Sequence, residues 1–576
     1  MINPAASEAT VQAANGFQIV VVDSLAKVRG SAPPRQHATG EVVLAVNGTG
    51  SVQLGLRPPD DWRPAVDGGA LLDLSAPPGV VVTASAVDLV PCEVTALPPY
   101  DDDYDEMEAA LLPDVLRPLA QDEAAPMTRT QWRAVWLTVR ATAPVDGGTI
   151  TVALRTSRTG KAIGAATIPV TVVDAELPPL PIRCAQWLHV DGISQYYRCD
   201  PYSAFGWAAI ERFVRAAVET GSTAMLTPIH TPPLDTAVGT TRPDVSLVGV
   251  TRTGPGEYRF DLRRLITWIS VCRRSGIREL EMAHLFTQWG GTAAPTINDA
   301  DGRQLFGWHT QALGPEYQDF LAQYIPAVRS VLDQHWGGPV LWHLTDEPHG
   351  PEHRDQYRRL RSAVAPLLRD CTVVDALSDL DLWTSGVVDV PVVATNHIHE
   401  FLDAGLERPW VYYCTGQSQD VANRFISQPS WRNRALGWQL YRFDCAGFLH
   451  WGFNFYNSAL SRGSLDPFRD PTAGGDFQAG DPFIVYPGPG GEPWPSIRSR
   501  VFREGLDDLS VLTRLGERDG REVVARGWGI GELRFDSGPD DPAFYVRGAA
   551  RAVRALGRDR HTGGQATSSV WTTPSR

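Results

Sequence analysis

Along the first third of the chain, hydrophobic and polar positions alternate in short β-branched runs. "GFQIVVVDSLAKV" and "GGTITVALRTSRTGKAIGAATIPVTVVDAELPPLP" are two examples, broken by Gly, Pro and Asp and almost free of helical periodicity. That pattern predicts an all-β sandwich over residues 1–174. The segment "AELPPLP", 175–181, reads as a proline-rich linker. Beyond it the texture changes to apolar strand-like runs: "CAQWLHV" at 184, "STAMLTPIH" at 222, "IRELEMAHL" at 277, "PVLWHLTDE" at 339, "TVVDAL" at 372, "PVVATNH" at 391, "PWVYYCT" at 409 and "GFLHWGFN" at 447. Between most of them lie amphipathic helix patterns such as "FGWAAIERFVRAAVETG" and "DLRRLITWISVCRRSG", several stopped by Gly. Strand and helix alternating eight times predict an α/β fold, a (β/α)8 TIM barrel over 182–515. The link "SDLDLWTSGVVDV" between the fifth and sixth runs is weak as a helix. Residues 516–576 read as a C-terminal helix with a disordered tail.

Composition narrows the function. The 576 residues carry a formal charge of −14 with scattered basic residues, so no nucleic-acid partner is expected. No apolar run nears the roughly 20 residues that span a bilayer, which excludes a membrane role. The start "MINPAASEATVQAANGF" has neither a basic nor an apolar leader region, which predicts a cytoplasmic protein, or a secreted one if the true start lies upstream. Seven cysteines without a C-x-x-C argue against a disulfide framework or a thiolate zinc site. "RTGKA" has Arg155 where a phosphate-binding loop needs Gly, and Asp101, Asp103 and Asp105 lack the glycine and later Glu of a calcium loop, leaving a solvated acidic loop. The 18 Trp and 15 Tyr suit core packing first and sugar platforms second.

Barrel enzymes work at the C-terminal ends of their strands. That rule selects Asp346 and Glu347 on the fourth strand. From neighbouring strands it selects His189, Asp191, His230, His284, Gln288, Trp289, Asp375, Asn396, His397, His399, Tyr412, Tyr413, Trp451 and Asn454. Strand alternation aims Glu347 inward, and Asp346 reaches the same pocket only if the strand breaks early, as Pro348 encourages. Two adjacent carboxylates raise one another's proton affinity, which suits one for acid catalysis. The competing reading is an N-capping pair for the helix that follows. His397-x-His399 fits hydrogen bonding to sugar hydroxyls better than a metal site, because no third ligand is fixed by spacing. No metal or cofactor is expected.

The ordered segments "LWHLTDEP", "RPWVYYCTGQ", "WRNRALGWQLYRFDCAGFLHWGFNFYN" and "GDPFIVYPGPGGEPWPSIRSRVFREGLDDL" resemble the catalytic domain of glycoside hydrolase family 123, also known as domain of unknown function 4091, over roughly 180–515. The β-rich first part is similar to the N-terminal sandwich of that family. The resemblance implies a retaining β-N-acetylgalactosaminidase-like hydrolase acting on an oligosaccharide or glycoconjugate, in which the substrate's 2-acetamido group attacks the anomeric carbon. It implies that Asp346 orients that group and that Glu347 serves as acid and then base. Tyr412 or Tyr413 would bond the acetamido carbonyl, and Trp410 or Trp451 would floor the subsite. His189, Trp289, Asn396, His397 and Asn454 complete the expected sugar-binding set. The Gly/Pro/Asp-rich loop 462–496 is expected to overhang the site, with Arg498, Arg503 and Glu504 as structural ion-pair residues. Two alternatives stand beside this reading. One is a non-acetamido glycosidase with Asp191 or Asp375 as nucleophile; the other is a non-catalytic carbohydrate-binding protein. Whether the protein is a homo-oligomer is left open by the sequence.

Overall fold

The structure, a computed structural model, describes residues 8–30, 32–37 and 40–558. The expected disordered tail falls mostly on 559–576, outside the described residues. Two five-stranded sheets occupy the N-terminal part. One is built from Thr10–Ala13, Val42–Val46, Ala70–Ser75, Val145–Thr156 and Ala162–Glu176, and the other from Gln18–Asp23, Thr49–Arg57, Val80–Cys92, Ala110–Pro118 and Arg133–Ala141. Pairing is antiparallel except where Val42–Val46 lies parallel to Ala162–Glu176. Apolar residues of the second sheet, Val52, Leu54, Leu137 and Val139 among them, meet Ile150, Val152, Ile168 and Val170 of the first in one buried cluster.

Eight parallel strands then close a barrel: β1 (Arg183–Gln186), β2 (Ala224–Thr227), β3 (Glu279–Met282), β4 (Val340–Trp342), β5 (Thr372–Leu377), β6 (Val390–Ala394), β7 (Trp410–Tyr412) and β8 (Gly447–His450). Every strand overlaps an apolar run marked out by the sequence, two of them starting one residue earlier, at Arg183 and Val390. The weak link before β6 carries only a five-residue helix, Leu380–Thr384. Alternation sorts the side chains. Ala185, Leu226, Leu341, Val374, Ala376, Trp410, Tyr412 and Leu449 form the interior cluster, whereas Met225, Leu280, Trp342, Val373, Val411 and Phe448 pack in the larger core that includes the surrounding helices.

The N-terminal sheets grip the barrel through buried polar contacts. Arg498 donates to Asp114 at 2.9–3.1 Å, Tyr486 Oη donates to the same carboxylate at 2.6 Å, and Ser24 Oγ donates to Glu504 at 2.6 Å. Arg434 spans Glu504 and Asp508, and Arg503 pairs with Asp507, so the three residues expected to be structural are. The acidic loop is not simply solvated: Asp101 accepts two bonds from Arg432, whose guanidinium is buried, at 2.9 and 2.7 Å. An anion can leave water here because a bidentate guanidinium replaces it.

The helix Ile497–Asp519 carries a capping box at Ser496 and runs through the expected boundary at 515. After it come two further helices, Arg521–Gly527 and Pro542–Leu556, rather than one. No helix among the described residues is long and apolar enough to cross a membrane.

The barrel seam demands a glycine. A Cβ on Gly447 would lie 2.4 Å from the ring of Trp410, which fills the barrel base beneath Arg183. Gly447→Ala should therefore lower stability by about 1–3 kcal/mol through overpacking, read as a reduced urea midpoint with an altered tryptophan emission spectrum.

Candidate active site

At the C-terminal ends of the strands lies a cavity of about 190 Å³. Its lining includes Asp346 and Glu347 from the segment after β4, Leu234 and Asp235 after β2, Gln288 and Trp289 after β3, Tyr412 at the end of β7, and Trp451 after β8. Phe477 and Asp481 reach it from the loop that follows, as the overhang expectation requires.

The fourth strand ends at Trp342, well before the carboxylates, and Glu347 takes φ 46°. A strand would have sent the two side chains to opposite faces. This left-handed turn before Pro348 lets both line one cavity. Tyr412 Oη donates to Glu347 Oε1 at 2.6 Å. Burial and the negative charges of Glu347, Asp375 and Asp235 push the Asp346 carboxyl well above the usual carboxylate range. Asp346 is thus the carboxyl on which burial and like charge act together. The helix-cap alternative is not realised: the helix Gly350–Val364 starts from His349 with no side-chain cap bond, and the Gly350 N–H donates to Asp379 at 2.8 Å.

Of the expected sugar-binding residues, Trp289, Tyr412 and Trp451 line the cavity. Trp289 is 42% exposed with φ 57°, a rim aromatic held open by its backbone. The Trp451 indole donates to Asp481 at 3.0 Å. The other six lie elsewhere, which corrects the expectation. His189 is buried, accepting from Arg242 at 2.9 Å and meeting the Trp451 carbonyl at 2.8 Å, and burial lowers its pKa to about 4. Asn454 locks the His189 backbone through two bonds. Trp410 plugs the barrel base, and alternation turns Tyr413 outward against Phe448 and His450. Asn396 is exposed and accepts from Gln417. His397 meets Glu400 at 2.9 Å while His399 turns to Asp536 at 3.5 Å, so the two imidazoles diverge.

The alternative nucleophiles are also displaced. Asp191 is buried in a bidentate pair with Arg242 at 2.6 and 3.0 Å. Asp375 stands beside the inward-facing Val374 and Ala376 and accepts the Thr345 N–H at 3.3 Å. Of the residues sequence reasoning missed, Cys414 and Thr415 close the seventh apolar run, whereas Leu234, Asp235, Phe477 and Asp481 lie in loops past the runs and carry no periodicity. His230 and His284 are buried, as core residues should be.

The model of the glycoside hydrolase 123 catalytic domain matches residues 187–515, more than half of the chain. The chain belongs to glycoside hydrolase family 123. A family 123 glycoside hydrolase from Clostridium perfringens, described for glycolipid glycan hydrolysis, has the same fold at 12% identity, over 95% of this chain and 99% of that one, with a TM-score of 0.68. A β-D-glucuronidase from Dictyoglomus thermophilum (8% identity, 86% of this chain and 98% of that one, TM-score 0.33) and a family 5 glycoside hydrolase from Bacteroides vulgatus (10%, 63% and 69%, TM-score 0.29) are too distant to carry an argument. No curated protein matches the sequence. Family membership makes this protein a glycoside hydrolase, as its sequence motifs led one to expect.

Burial gives the fifth strand, beside the cavity, a stability signature. Burial raises Asp375 to about 7, against about 3.9 in an unfolded chain. Between those values the folded protein keeps a proton that the unfolded chain has released, so stability falls as pH rises from about 4 to about 7, by on the order of 4 kcal/mol for this residue. Asp375→Asn should flatten that decline, measured as urea midpoints at pH 4.5 and 7.5. Equal declines in both proteins would contradict it.

Proposed function

We propose that this family 123 hydrolase is a retaining, exo-acting β-N-acetylgalactosaminidase-like enzyme that uses the substrate's 2-acetamido group as nucleophile. The observation carrying this reading is that Asp346 and Glu347 line one small cavity, while Asp191 and Asp375 do not. About 190 Å³ is small beside the ~300–1,000 Å³ of typical ligand pockets, which supports a single terminal sugar. The glycolipid glycans hydrolysed by the structurally similar clostridial enzyme support a glycoconjugate substrate.

In the proposed cycle, the acetamido N–H donates to Asp346 and the carbonyl oxygen attacks the anomeric carbon while the glycosidic bond breaks. The leaving oxygen takes a proton from Glu347. Water, deprotonated by Glu347, then opens the oxazolinium-like intermediate with net retention. This differs from the two-carboxylate double displacement. Burial and like charge raise the proton affinity of Asp346 in the empty site, and an acetamido N–H arriving there stabilises the Asp346 anion. The proton then passes to Glu347, where it is needed. Tyr412, already bonded to Glu347, contributes on the order of 1.5–3 kcal/mol to holding that side chain in place. Trp289 and Trp451 flank the ring.

We further propose that the two N-terminal sheets, which share one apolar cluster, form a β-sandwich domain over 1–174. The last strand of the sheets runs to Glu176, two residues into the expected linker 175–181, the barrel follows, and its last helix extends to Asp519.

Aryl 2-acetamido-2-deoxy-β-galactosides should be hydrolysed, and the same galactosides lacking the acetamido group should not. Glu347→Gln should lower kcat by about 10²–10⁴-fold, and Asp346→Asn by a comparable factor. Equal hydrolysis of both glycosides, or full activity in Glu347→Gln, would refute the assignment.

A further inference from the structure

The cavity is electrostatically one-sided. Four of its lining residues are carboxylic acids (Asp235, Asp346, Glu347 and Asp481), and none is Lys, Arg or His. The buried guanidiniums nearby are engaged. Arg242 holds Asp191 and His189, and Arg424 holds Gln186, His450 and the Gly452 carbonyl. Arg498 holds Asp114. Arg242 and the exposed Arg462 both act on Asp235 as positive charges, but neither side chain lines the cavity. A sulfate or carboxylate entering this cavity would lose its water and meet no counter-charge. An ammonium would meet several acceptors.

Two lining groups also have spare hydrogen-bonding capacity. Asp235 uses one carboxyl oxygen to accept the Leu460 N–H at 2.8 Å. Gln288 spends its carbonyl on the Asp235 N–H, while its Nε2 is buried without a partner. This wall of the cavity thus carries a carboxyl oxygen and an amide nitrogen whose bonding is not completed within the protein, the two kinds of group that pair with sugar hydroxyls.

We propose that the cavity admits uncharged or cationic hexosamines and excludes sugar acids and sulfate esters, with Asp235 and Gln288 reading hydroxyls of the bound ring. The inference rests on the hexosaminidase reading and extends it to the charge of the substrate. It also orders reactions: on a sulfated glycan, hydrolysis of the sulfate ester must precede this enzyme. Burial raises the Asp235 carboxyl to about 6 and that of Asp481 to about 7, against the opposing pull of Arg242 and Arg462 on the first and of Arg424 and Arg498 on the second.

The test is calorimetric binding of four aryl β-glycosides to full-length Glu347→Gln. The ligands are 2-acetamido-2-deoxygalactoside, its 4-sulfate, its 6-sulfate, and the 2-amino sugar without the acetyl group, with wild-type hydrolysis followed in parallel. Both sulfate esters are expected to bind at least about 100-fold more weakly than the neutral glycoside. The amino sugar should bind at least as tightly as the neutral one, losing affinity with added salt. Asp235→Asn and, independently, Gln288→Lys should each narrow the sulfate penalty by about tenfold, with circular dichroism confirming that each variant is folded. A sulfate ester bound within threefold of the neutral glycoside, or no binding of any ligand, overturns the inference. An intact charge ranking with no wild-type hydrolysis of the acetamido glycoside would instead overturn the catalytic reading while sparing this one.

Discussion

Everything in this molecule depends on the seam where β1 meets β8. Arg183, Cys184, Ala185 and Gln186 pair in register with Gly447, Phe448, Leu449 and His450, and that pairing turns an open parallel sheet into a barrel without edges. The closure needs a residue without a side chain at 447, because the Trp410 ring occupies the space. Once closed, the strands deliver all their C-terminal ends to one rim, and the loops after β2, β3, β4 and β8 converge on a single cavity.

The same architecture explains why a barrel enzyme carries N-terminal sheets. Asp114, on the strand Ala110–Pro118, anchors Arg498, which in turn donates to the carbonyls of Gly480 and Phe483 at 2.6 and 2.8 Å. Those carbonyls flank Asp481, the residue that holds the Trp451 indole. A buried ion pair is weak evidence of stability, since desolvation offsets much of its Coulomb energy. It does fix geometry, and here it links the sheets to the cavity wall.

A second constraint concerns charge. Asp346 and Glu347 are neighbours in a cavity with no cation, so they resist simultaneous ionisation, and the Tyr412 hydroxyl commits itself to Glu347. The two carboxyls differ through placement: Glu347 gains a hydroxyl donor, whereas Asp346 is buried among negative neighbours that raise its proton affinity.

The hydrophobic pattern determined the barrel and its eight strand positions, and it placed Asp346 and Glu347 at a strand end, because burial marks strands as apolar runs and strand ends carry polar residues. It left Tyr412 and Tyr413 as alternatives, and the structure turns Tyr412 to the cavity and Tyr413 to Phe448 and His450. Only the tertiary structure decided how far each strand runs before it turns. That length sent Trp410 to the barrel base rather than the sugar floor, turned His189 and Asn454 into supports for Trp451, and let Asp346 join Glu347. Loop residues such as Asp235 and Asp481 were likewise decided by tertiary contacts, because no periodicity marks a side chain whose position is set by partners more than two hundred residues away, as Asp235 is by Leu460.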